Sequence, residues 1–435
     1  QPPARWGQGV CDPLRGRSEE GAEPPSFSLL LRMQQISDYN NPELIYESSN
    51  SLVYRATHKD TRQPVVLKRL REDYPLPHKL AGFQREYEIA GSFDDPGIIK
   101  VYALEKYHGT WFLIMEDFGG QSLDSMISSS GLDVSVFLSL AVQMADCLSV
   151  VHRRRVIHKD INPSNVLCNP KTGQVKLIDF GLSTALRRET VRLLNPNVLE
   201  GTLAYISPEQ TGRMNRPVDY RSDLYSLGVT FYFMLFGTPP FVSTDPIELV
   251  HCHIAREHVC PPDVNVPDML VGIIGRLMNK TAEARYQSAL SLKHDLEICR
   301  GQWEASQRIS HFVLGKNDHF EQFHIPHTLY GRQRDIQVLL EGFNRTQAGK
   351  SELILVSGYS GIGKSSLVAE IHRPIVEKRG HFISGKFDQY QRNIPYSALI
   401  EAFRTLLQHI LTEPEAVIAT WREQILKAVA DNGQL

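Results

Sequence analysis

The rhythm of apolar and polar positions changes along the chain. From about Tyr39 to Leu113 it favours strands, with short β-branched runs at Val53-Tyr54-Arg55-Ala56 and Val65-Val66-Leu67-Lys68 and a turn at Lys59-Asp60-Thr61 between them. The pattern then predicts a helix around Phe83–Phe93 and two more strands, Ile98–Leu104 and Trp111–Glu116. From Ser135 onward the helical period dominates, most clearly over Val136–His152 and Asp223–Phe236. Between those helices sits a strand pair, Val166–Cys168 and Val175–Ile178, joined by the turn Asn169-Pro170-Lys171-Thr172-Gly173. Strands first and helices later, with no repeat, predict a two-lobed α+β domain over residues 36–305. The polar, His-rich stretch 306–327 reads as a linker. Residues 328–435 read as the first part of an α/β domain, with a buried-type strand at Leu353–Ser357 and a helix over Ser366–His372.

The ends add expectations of their own. The sequence does not begin with Met, and Gln1–Pro25 is crowded with Pro, Gly, Arg and Glu, so residues 1–35 are expected to be an unstructured leader, not necessarily native. Nothing in Asp431–Leu435 reads as a finish, and the chain is expected to be a fragment.

With 42% hydrophobic and 22% charged residues, the composition suits a large folded core. Lys plus Arg total 47 against 49 Asp plus Glu, a net charge of -2, which offers no global basic field for nucleic acid or an anionic membrane. The six cysteines (Cys11, Cys147, Cys168, Cys252, Cys260 and Cys299) contain no C-x-x-C pair, which argues against a disulfide framework or a zinc ribbon. The apolar stretch Leu224–Phe236 is too short to span a bilayer. These features point to a soluble cytoplasmic protein with neither a nucleic-acid partner nor a membrane span.

The chemistry is concentrated in two constellations. In the first, His158-Lys159-Asp160-Ile161-Asn162-Pro163-Ser164-Asn165 sets an Asp and an Asn five residues apart, and the strand ending at Ile178 delivers Asp179-Phe180-Gly181. Phosphoryl transfer needs Mg²⁺ to offset phosphate charge, a cation on the α/β-phosphates and a carboxylate facing the attacking hydroxyl. Asn165 and Asp179 suit the metal, Asp160 the hydroxyl, and Lys68 the phosphates of ATP.

In this set, over roughly Tyr39–Arg300, the sequence resembles the eukaryotic-type protein kinase family. The resemblance implies that Lys68 is the strand lysine and Glu86 its helix-borne partner. It also implies that Glu116-Asp117-Phe118 is the adenine-contacting hinge after Met115, with Glu116 and Phe118 at the nucleotide. Gly201-Thr202, Tyr205 and Ser207-Pro208-Glu209 look like the end of the activation segment, Asp223-Leu224-Tyr225-Ser226-Leu227-Gly228 like the start of the central helix, and Arg285 like the partner of Glu209. The catalytic loop and Thr202 resemble the serine/threonine form of the family.

Three positions depart from the family pattern. Aligned on Val53, the glycine-rich loop carries Tyr46, Ser48 and Ser51 instead of glycines; the serine hydroxyls are expected to substitute as donors, with weakened ATP binding. Asn162 stands where a lysine is expected, removing a cation from the γ-phosphate. Lys159 replaces an arginine and lacks its planar grip on a phosphate. Between Ala185 and Glu200 the only hydroxyl is Thr190, so control by phosphorylation there has little support.

In the second constellation, Gly358-Tyr359-Ser360-Gly361-Ile362-Gly363-Lys364-Ser365 satisfies G-x-x-x-x-G-K-[ST] between a strand and a helix. Backbone N–H groups at Gly358, Gly361 and Gly363 would wrap phosphates, Lys364 would reach β/γ, and Ser365 would sit on Mg²⁺. No acidic strand end follows before Leu435, so hydrolysis is not expected. Together with Leu329-Tyr330-Gly331-Arg332 and Gly385-Lys386-Phe387-Asp388-Gln389-Tyr390, this part resembles a truncated AAA-type P-loop ATPase domain. The order of the two parts is similar to the hybrid serine/threonine–histidine kinases best known from cyanobacteria, which implies further sensor and histidine-kinase domains in a full-length protein. The leading reading is a serine/threonine protein kinase acting on unidentified protein substrates; the alternatives are a pseudokinase scaffold that regulates the attached ATPase and a signalling ATPase in which the kinase-like part only regulates.

Weaker signals carry less. His251, Cys252, His253, His258 and Cys260 match no zinc spacing and are expected to be structural, with Leu249, Val250 and Ile254 forming the apolar face of their helix. His152-Arg153-Arg154-Arg155 reads as a solvated helix end.

Overall fold

The structure is a computed structural model, describing residues 38–48, 50–72, 75, 77–107, 110–184, 203–212, 216–261, 266–318, 331–347, 349–359, 361–371, 374–375, 378, 380–385, 396–411 and 415–429. The expected leader, Thr190, Gly201 and Thr202 lie outside this set, as do Leu329, Tyr330 and Lys386–Tyr390. The chain divides into two compact units, one from positions up to Tyr74 with Glu105–Ile114, the other from Pro75–Leu104 and from Met115 onward.

The first unit is built on period-two alternation. Strands β1 (Tyr39–Glu47), β2 (Ser51–His58) and β3 (Pro64–Leu70) form an antiparallel meander. Leu52, Tyr54, Ala56, Val65 and Leu67 turn one way and are buried. Val53 and Lys68 are directly opposed across β2 and β3, so both side chains lie on the other face. With β4 (Val101–Tyr107) and β5 (Thr110–Glu116), the sheet runs in the order β1-β2-β3-β5-β4. The fourth strand starts later than the expected Ile98, which makes only an isolated bridge with Leu177.

The second unit carries helix α1 (Pro77–Gly91), a short sheet of β6 (Gln121–Ser122), β7 (Val166–Cys168) and β8 (Val175–Leu177), and the helical core. The helix α2 (Leu123–Met126) is one turn. Helix α3 (Val134–Arg153) begins where the Asp133 carboxylate accepts the Ser135 N–H at 2.8 Å, which meets an orphan donor of the first turn. It is long and apolar enough to cross a membrane, but its Phe137, Leu138, Ala141, Met144, Ala145, Leu148 and Val151 are buried in this core. Its apolarity is therefore accounted for by packing. Helix α4 (Tyr220–Phe236) is capped by Asp219 and stops at Gly237, whose φ of 69° is left-handed. A Cβ there would come within 2.4 Å of the Ser129 carbonyl oxygen, so only glycine fits the turn. Helices α5 (Pro246–Ala255), α6 (Asp268–Leu277) and α7 (Ala289–Ser306) complete the lobe, and Leu249, Val250 and Ile254 are buried as their spacing implied.

The beginning of the stretch expected to act as a linker is docked on this lobe. Gln307, left-handed at φ 53°, ends α7. Ile309, Phe312 and Leu314 then pack against the core. Asp318 accepts the Gln287 N–H and meets Arg276 Nη2 at 2.7 Å, while the Gly315 N–H donates to Asp295 at 2.7 Å. Of its polar side chains, Asp318 meets partly buried donors of the lobe, while Arg308, Ser310, His311, Lys316 and Asn317 are exposed.

The remaining described elements are helices α8 (Gln333–Gln347), α9 (Lys364–Ala369), α10 (Ser397–Ile410) and α11 (Glu415–Val429). The expected strand at Leu353–Ser357 does not form, and Leu353 and Leu355 are each 85% exposed. A strand is held by ladder bonds to a neighbour, and among the described residues none pairs with this run. The helix after the P-loop spans Lys364–Ala369, starting earlier than the expected Ser366.

Candidate active site

The catalytic loop is assembled by side chains bonding to backbone. Asn162 sits before the 3₁₀ turn Pro163–Asn165, and its Oδ1 accepts the N–H groups of Ser164 and Asn165 at 3.0 and 3.1 Å. Its amide then faces the other way, with Nδ2 2.9 Å from Asp160 Oδ1. Asn165 Nδ2 donates to Asp160 Oδ2 at 2.8 Å and to the Asp160 carbonyl at 2.9 Å. The carboxylate is thus held by two amides, one on each oxygen. Because its nitrogen is committed to Asp160, Asn165 presents Oδ1 as an acceptor. The Ile178 N–H donates to the Asn165 carbonyl at 3.0 Å, so the strand delivering Asp179 is tied to the loop carrying Asn165.

Backbone strain falls on the same loop. Lys159 (φ 68°) and Asp179 (φ 62°) both occupy the left-handed region, where a non-glycine residue costs on the order of 1 kcal/mol or more. Both are held by buried groups. Asp223, fully buried, accepts the N–H groups of His158 and Lys159 at 2.9 and 2.7 Å, and His152 Nε2 lies 2.9 Å from the same carboxylate. His152 is therefore a buried brace, contrary to the solvated helix end expected for His152–Arg155, of which Arg153, Arg154 and Arg155 are exposed. His158 Nδ1 accepts the Asp160 N–H, which leaves Nε2 to donate to the Ile178 carbonyl at 3.1 Å. Burial holds the His158 pKa below its ordinary value, so the neutral ring that this pairing requires is the favoured form. Phe180 lies 4.7 Å from the His158 ring and 5.6 Å from Phe93.

Glu86 on α1 is buried. A Cβ placed on Gly181 would lie 3.9 Å from Glu86 Oε2 and 3.2 Å from Asp179 Oδ1, so both carboxylates border this glycine. The hinge is braced from behind. Glu116 accepts the Lys100 N–H at 2.7 Å and pairs with Lys176 at 2.5 Å, Lys176 lies over the Phe118 ring, and Asn169 Nδ2 holds the Phe118 carbonyl. Of these partners, Lys176 and Asn169 carried no signal in the sequence beyond strand and turn. The Glu116 side chain is committed to this brace, and its N–H donates to the Lys100 carbonyl at 3.0 Å.

In the first unit, the loop between β1 and β2 is closed by its own serines. Ser48 Oγ accepts the Ser51 N–H at 3.0 Å and bonds back to Ser51 through its oxygens. The hydroxyl expected to replace a glycine as a phosphate donor is engaged inside the turn. Val53 and Lys68 are partly buried on the open face of this sheet.

Farther along, Arg285 meets Glu209 at 2.6 and 3.0 Å in a bidentate pair, as the resemblance implied. Gln210 Nε2 donates to the Lys159 carbonyl at 2.7 Å, tying the segment around Leu203–Thr211 to the residue before Asp160. In the second constellation Gly361 and Gly363 have φ of 83° and 94°, and Lys364 Nζ donates to the carbonyls of Gly358 and Tyr359 at 2.8 Å each. Ser365 is exposed at the start of α9.

The protein kinase domain family matches residues 39–296, more than half of the chain. The chain belongs to the protein kinase family. Its second part, residues 328–435, matches the AAA ATPase domain family. Among curated proteins, this kinase chain is 31% identical over 390 residues to the hybrid signal transduction histidine kinase G of Dictyostelium discoideum, covering 69% of this chain and 11% of that protein. It is 30% identical over 273 residues to the serine/threonine-protein kinase PknB of Mycolicibacterium smegmatis, covering 60% and 43% respectively. The serine/threonine-protein kinase PrkC of Bacillus subtilis is 29% identical over 249 residues, covering 56% of this chain and 38% of that kinase. The chain thus spans about a tenth of the hybrid kinase and roughly two fifths of the bacterial kinases. Both domain families imply the use of ATP. The relatives thus include a much larger hybrid signal transduction histidine kinase, of which this chain matches 11%.

Proposed function

We propose that this chain is the kinase-bearing part of a multidomain cytoplasmic signalling protein, and that it transfers the ATP γ-phosphate to serine or threonine hydroxyls of proteins. The observation that carries the reading is the Asp160 carboxylate held between two amides, Asn162 on Oδ1 and Asn165 on Oδ2. A carboxylate fixed in this way is suited to orient a hydroxyl and accept its proton. The hydroxyl oxygen bonds to the γ-phosphorus, the bond to the β-phosphate oxygen breaks, ADP leaves and the proton passes to Asp160. Asn165 Oδ1 and the Asp179 carboxylate are hard oxygen donors of the kind Mg²⁺ takes, and they would hold it; bound there, the ion offsets phosphate charge. Lys68, with Glu86 as its acidic partner, would supply the cation for the α/β-phosphates, and Ser48, Ser51, Val53 and the main chain of Glu116–Phe118 would line the rest of the nucleotide. The P-loop residues Gly358, Gly361, Gly363, Lys364 and Ser365 would take a second nucleotide.

A second reading, a nucleotide-binding pseudokinase scaffold for the attached ATPase part, is favoured by one observation, the engagement of the Ser48 hydroxyl within its own turn. Incubation of the chain with γ-labelled ATP, Mg²⁺ and a generic protein substrate separates the two. Acid-stable label that disappears in Asp160→Asn supports the kinase. Nucleotide bound without any label transferred would leave the scaffold.

A further inference from the structure

The peptide that carries Asp160 is held from outside its own loop. Lys159, left-handed at φ 68°, has its N–H bonded to the fully buried Asp223 at 2.7 Å and its carbonyl bonded to Gln210 Nε2 at 2.7 Å. On the far side of that second peptide the Asp160 N–H donates to His158 Nδ1 at 3.3 Å, a longer bond. A non-glycine residue stays in the left-handed region only where its surroundings over-determine it. One bond on each side of the strained α-carbon supplies that hold, and Gln210 makes the one next to Asp160.

Gln210 is 9% exposed, and its neighbours fix which way the amide points. Oε1 accepts the Ser207 N–H at 3.2 Å and the Ser207 hydroxyl at 2.8 Å, and a main-chain N–H can only donate. Nε2 therefore faces the Lys159 carbonyl, which can only accept. Ser207-Pro208-Glu209-Gln210 has the spacing of a capping box, in which the fourth residue reaches back to the first. Glu and Gln serve that purpose alike. The bond to Lys159 needs a donor, which the amide has and a carboxylate lacks. The side chain is also firmly mounted. Glu209, its chain neighbour, meets Arg285 at 2.6 and 3.0 Å and accepts the Ser222 hydroxyl at 2.8 Å, and all three residues are buried.

We propose that Gln210 is a positioning residue for phosphate transfer, its amide fixing the Lys159–Asp160 peptide and through it the aim of the Asp160 carboxylate. The inference rests on the kinase reading above. Without the amide, the Lys159 carbonyl turns to relieve the strained backbone, and the Asp160 carboxylate shifts away from the Asn162 and Asn165 amides that hold it. A misplacement of about 1 Å at a reacting group costs on the order of a hundredfold in rate. The buried Glu209–Arg285 pair thereby acts on the reaction, since it anchors the residue that reaches the catalytic loop.

The test is steady-state phosphorylation of dephosphorylated casein by the full 435-residue chain, beside Gln210→Met and Gln210→Glu. Met keeps the length of the side chain and removes both polar ends. Glu keeps the capping acceptor and loses the donor, except when its carboxyl is protonated and donates as the amide does. Gln210→Met is expected to lower kcat about ten- to a hundredfold, with the KM for ATP within about twofold of wild type. Gln210→Glu is expected to keep the urea midpoint of unfolding and to show a similar loss at about pH 8. Its activity relative to wild type is then expected to rise about tenfold as the pH is lowered to about 5.5, because the protonated carboxyl restores the bond to Lys159. A kcat within about twofold of wild type in both variants at every pH overturns the proposal. So does a loss in Gln210→Glu that is independent of pH and matched by equal losses in ATP affinity and unfolding midpoint, because that signifies general damage to the lobe. A wild-type chain that binds ATP but transfers no phosphate overturns the kinase reading and this inference with it, and is recognised without any variant.

Discussion

Asn162 Nδ2 lies 2.9 Å from Asp160 Oδ1 while Asn162 Oδ1 caps the turn that carries Asn165. One neutral amide thus aims the carboxylate and stabilises the loop, at the position where a lysine was expected. Removing it in Asn162→Ala takes one amide away from Asp160 and leaves the Ser164 N–H without its acceptor, while the Asn165 N–H keeps the residue-162 carbonyl. Phosphate transfer is expected to fall by about ten- to a hundredfold in kcat, with a loss of roughly 1 kcal/mol in stability. Asn162→Asp retains the cap acceptor but places like charges together. It is expected to fold normally, to lose more activity, and to move the acidic limb of the pH–rate profile upward as Asp160 becomes harder to ionise.

The loop between β1 and β2 makes a different prediction. Ser48 Oγ accepts the Ser51 N–H and is bonded back to Ser51, so it orders the loop without a proton to spare for a phosphate. Ser48→Ala is expected to raise the KM for ATP about three- to tenfold and leave kcat nearly unchanged, the pattern of lost uniform binding. A fall in kcat of the same size would place the hydroxyl at the transferred phosphate instead.

The docked segment after α7 is expected to be part of the folding unit. Asp318 accepts two close contacts from the Gln287 N–H and pairs with Arg276. Asp318→Ala leaves a partly buried N–H and a guanidinium short of their acceptor, a loss of about 1–3 kcal/mol. Thermal unfolding followed by tryptophan fluorescence should show a lowered transition. An unchanged transition would mean that the segment is held by its apolar residues alone.

What the sequence made legible was the part of the site that depends on residue type and order. Asp160, Asn165 and Asp179 could be read because phosphate chemistry restricts which side chains can serve, whereas Glu209 with Arg285 came only from the resemblance to the protein kinase family. The supports were not legible, since they rest on contacts between residues distant in sequence. Lys176 looked like any strand lysine until Glu116 was found 2.5 Å away. Gln210 and the docked segment near Asp318 read as ordinary polar sequence, because hydrogen bonds to backbone leave no pattern. The apolar run Leu353–Val356 misled in the opposite direction: local preference for a strand has no effect without a neighbouring strand to bond with.

The buried histidines fix how stability responds to acid. The folded-state pKa of His253 is pushed down to about 3, and that of His158 is also lowered, chiefly by burial in both cases. An unfolded chain titrates these rings near the ordinary value of about 6.5. As pH falls below that value the unfolded state takes up protons that the folded state refuses, so the stabilisation present above pH 6.5 is lost progressively toward the folded pKa. Each such ring contributes a slope of up to about 1.4 kcal/mol per pH unit in this window. The urea midpoint of unfolding is therefore expected to be level between pH 7 and 8 and to fall steadily from pH 6.5 to 5. His253→Gln, which has no proton to gain, is expected to reduce that slope while lowering the midpoint at pH 7.5. A variant with the same slope as the wild type would show that the His253 ring takes up its proton as readily in the folded lobe as in the unfolded chain.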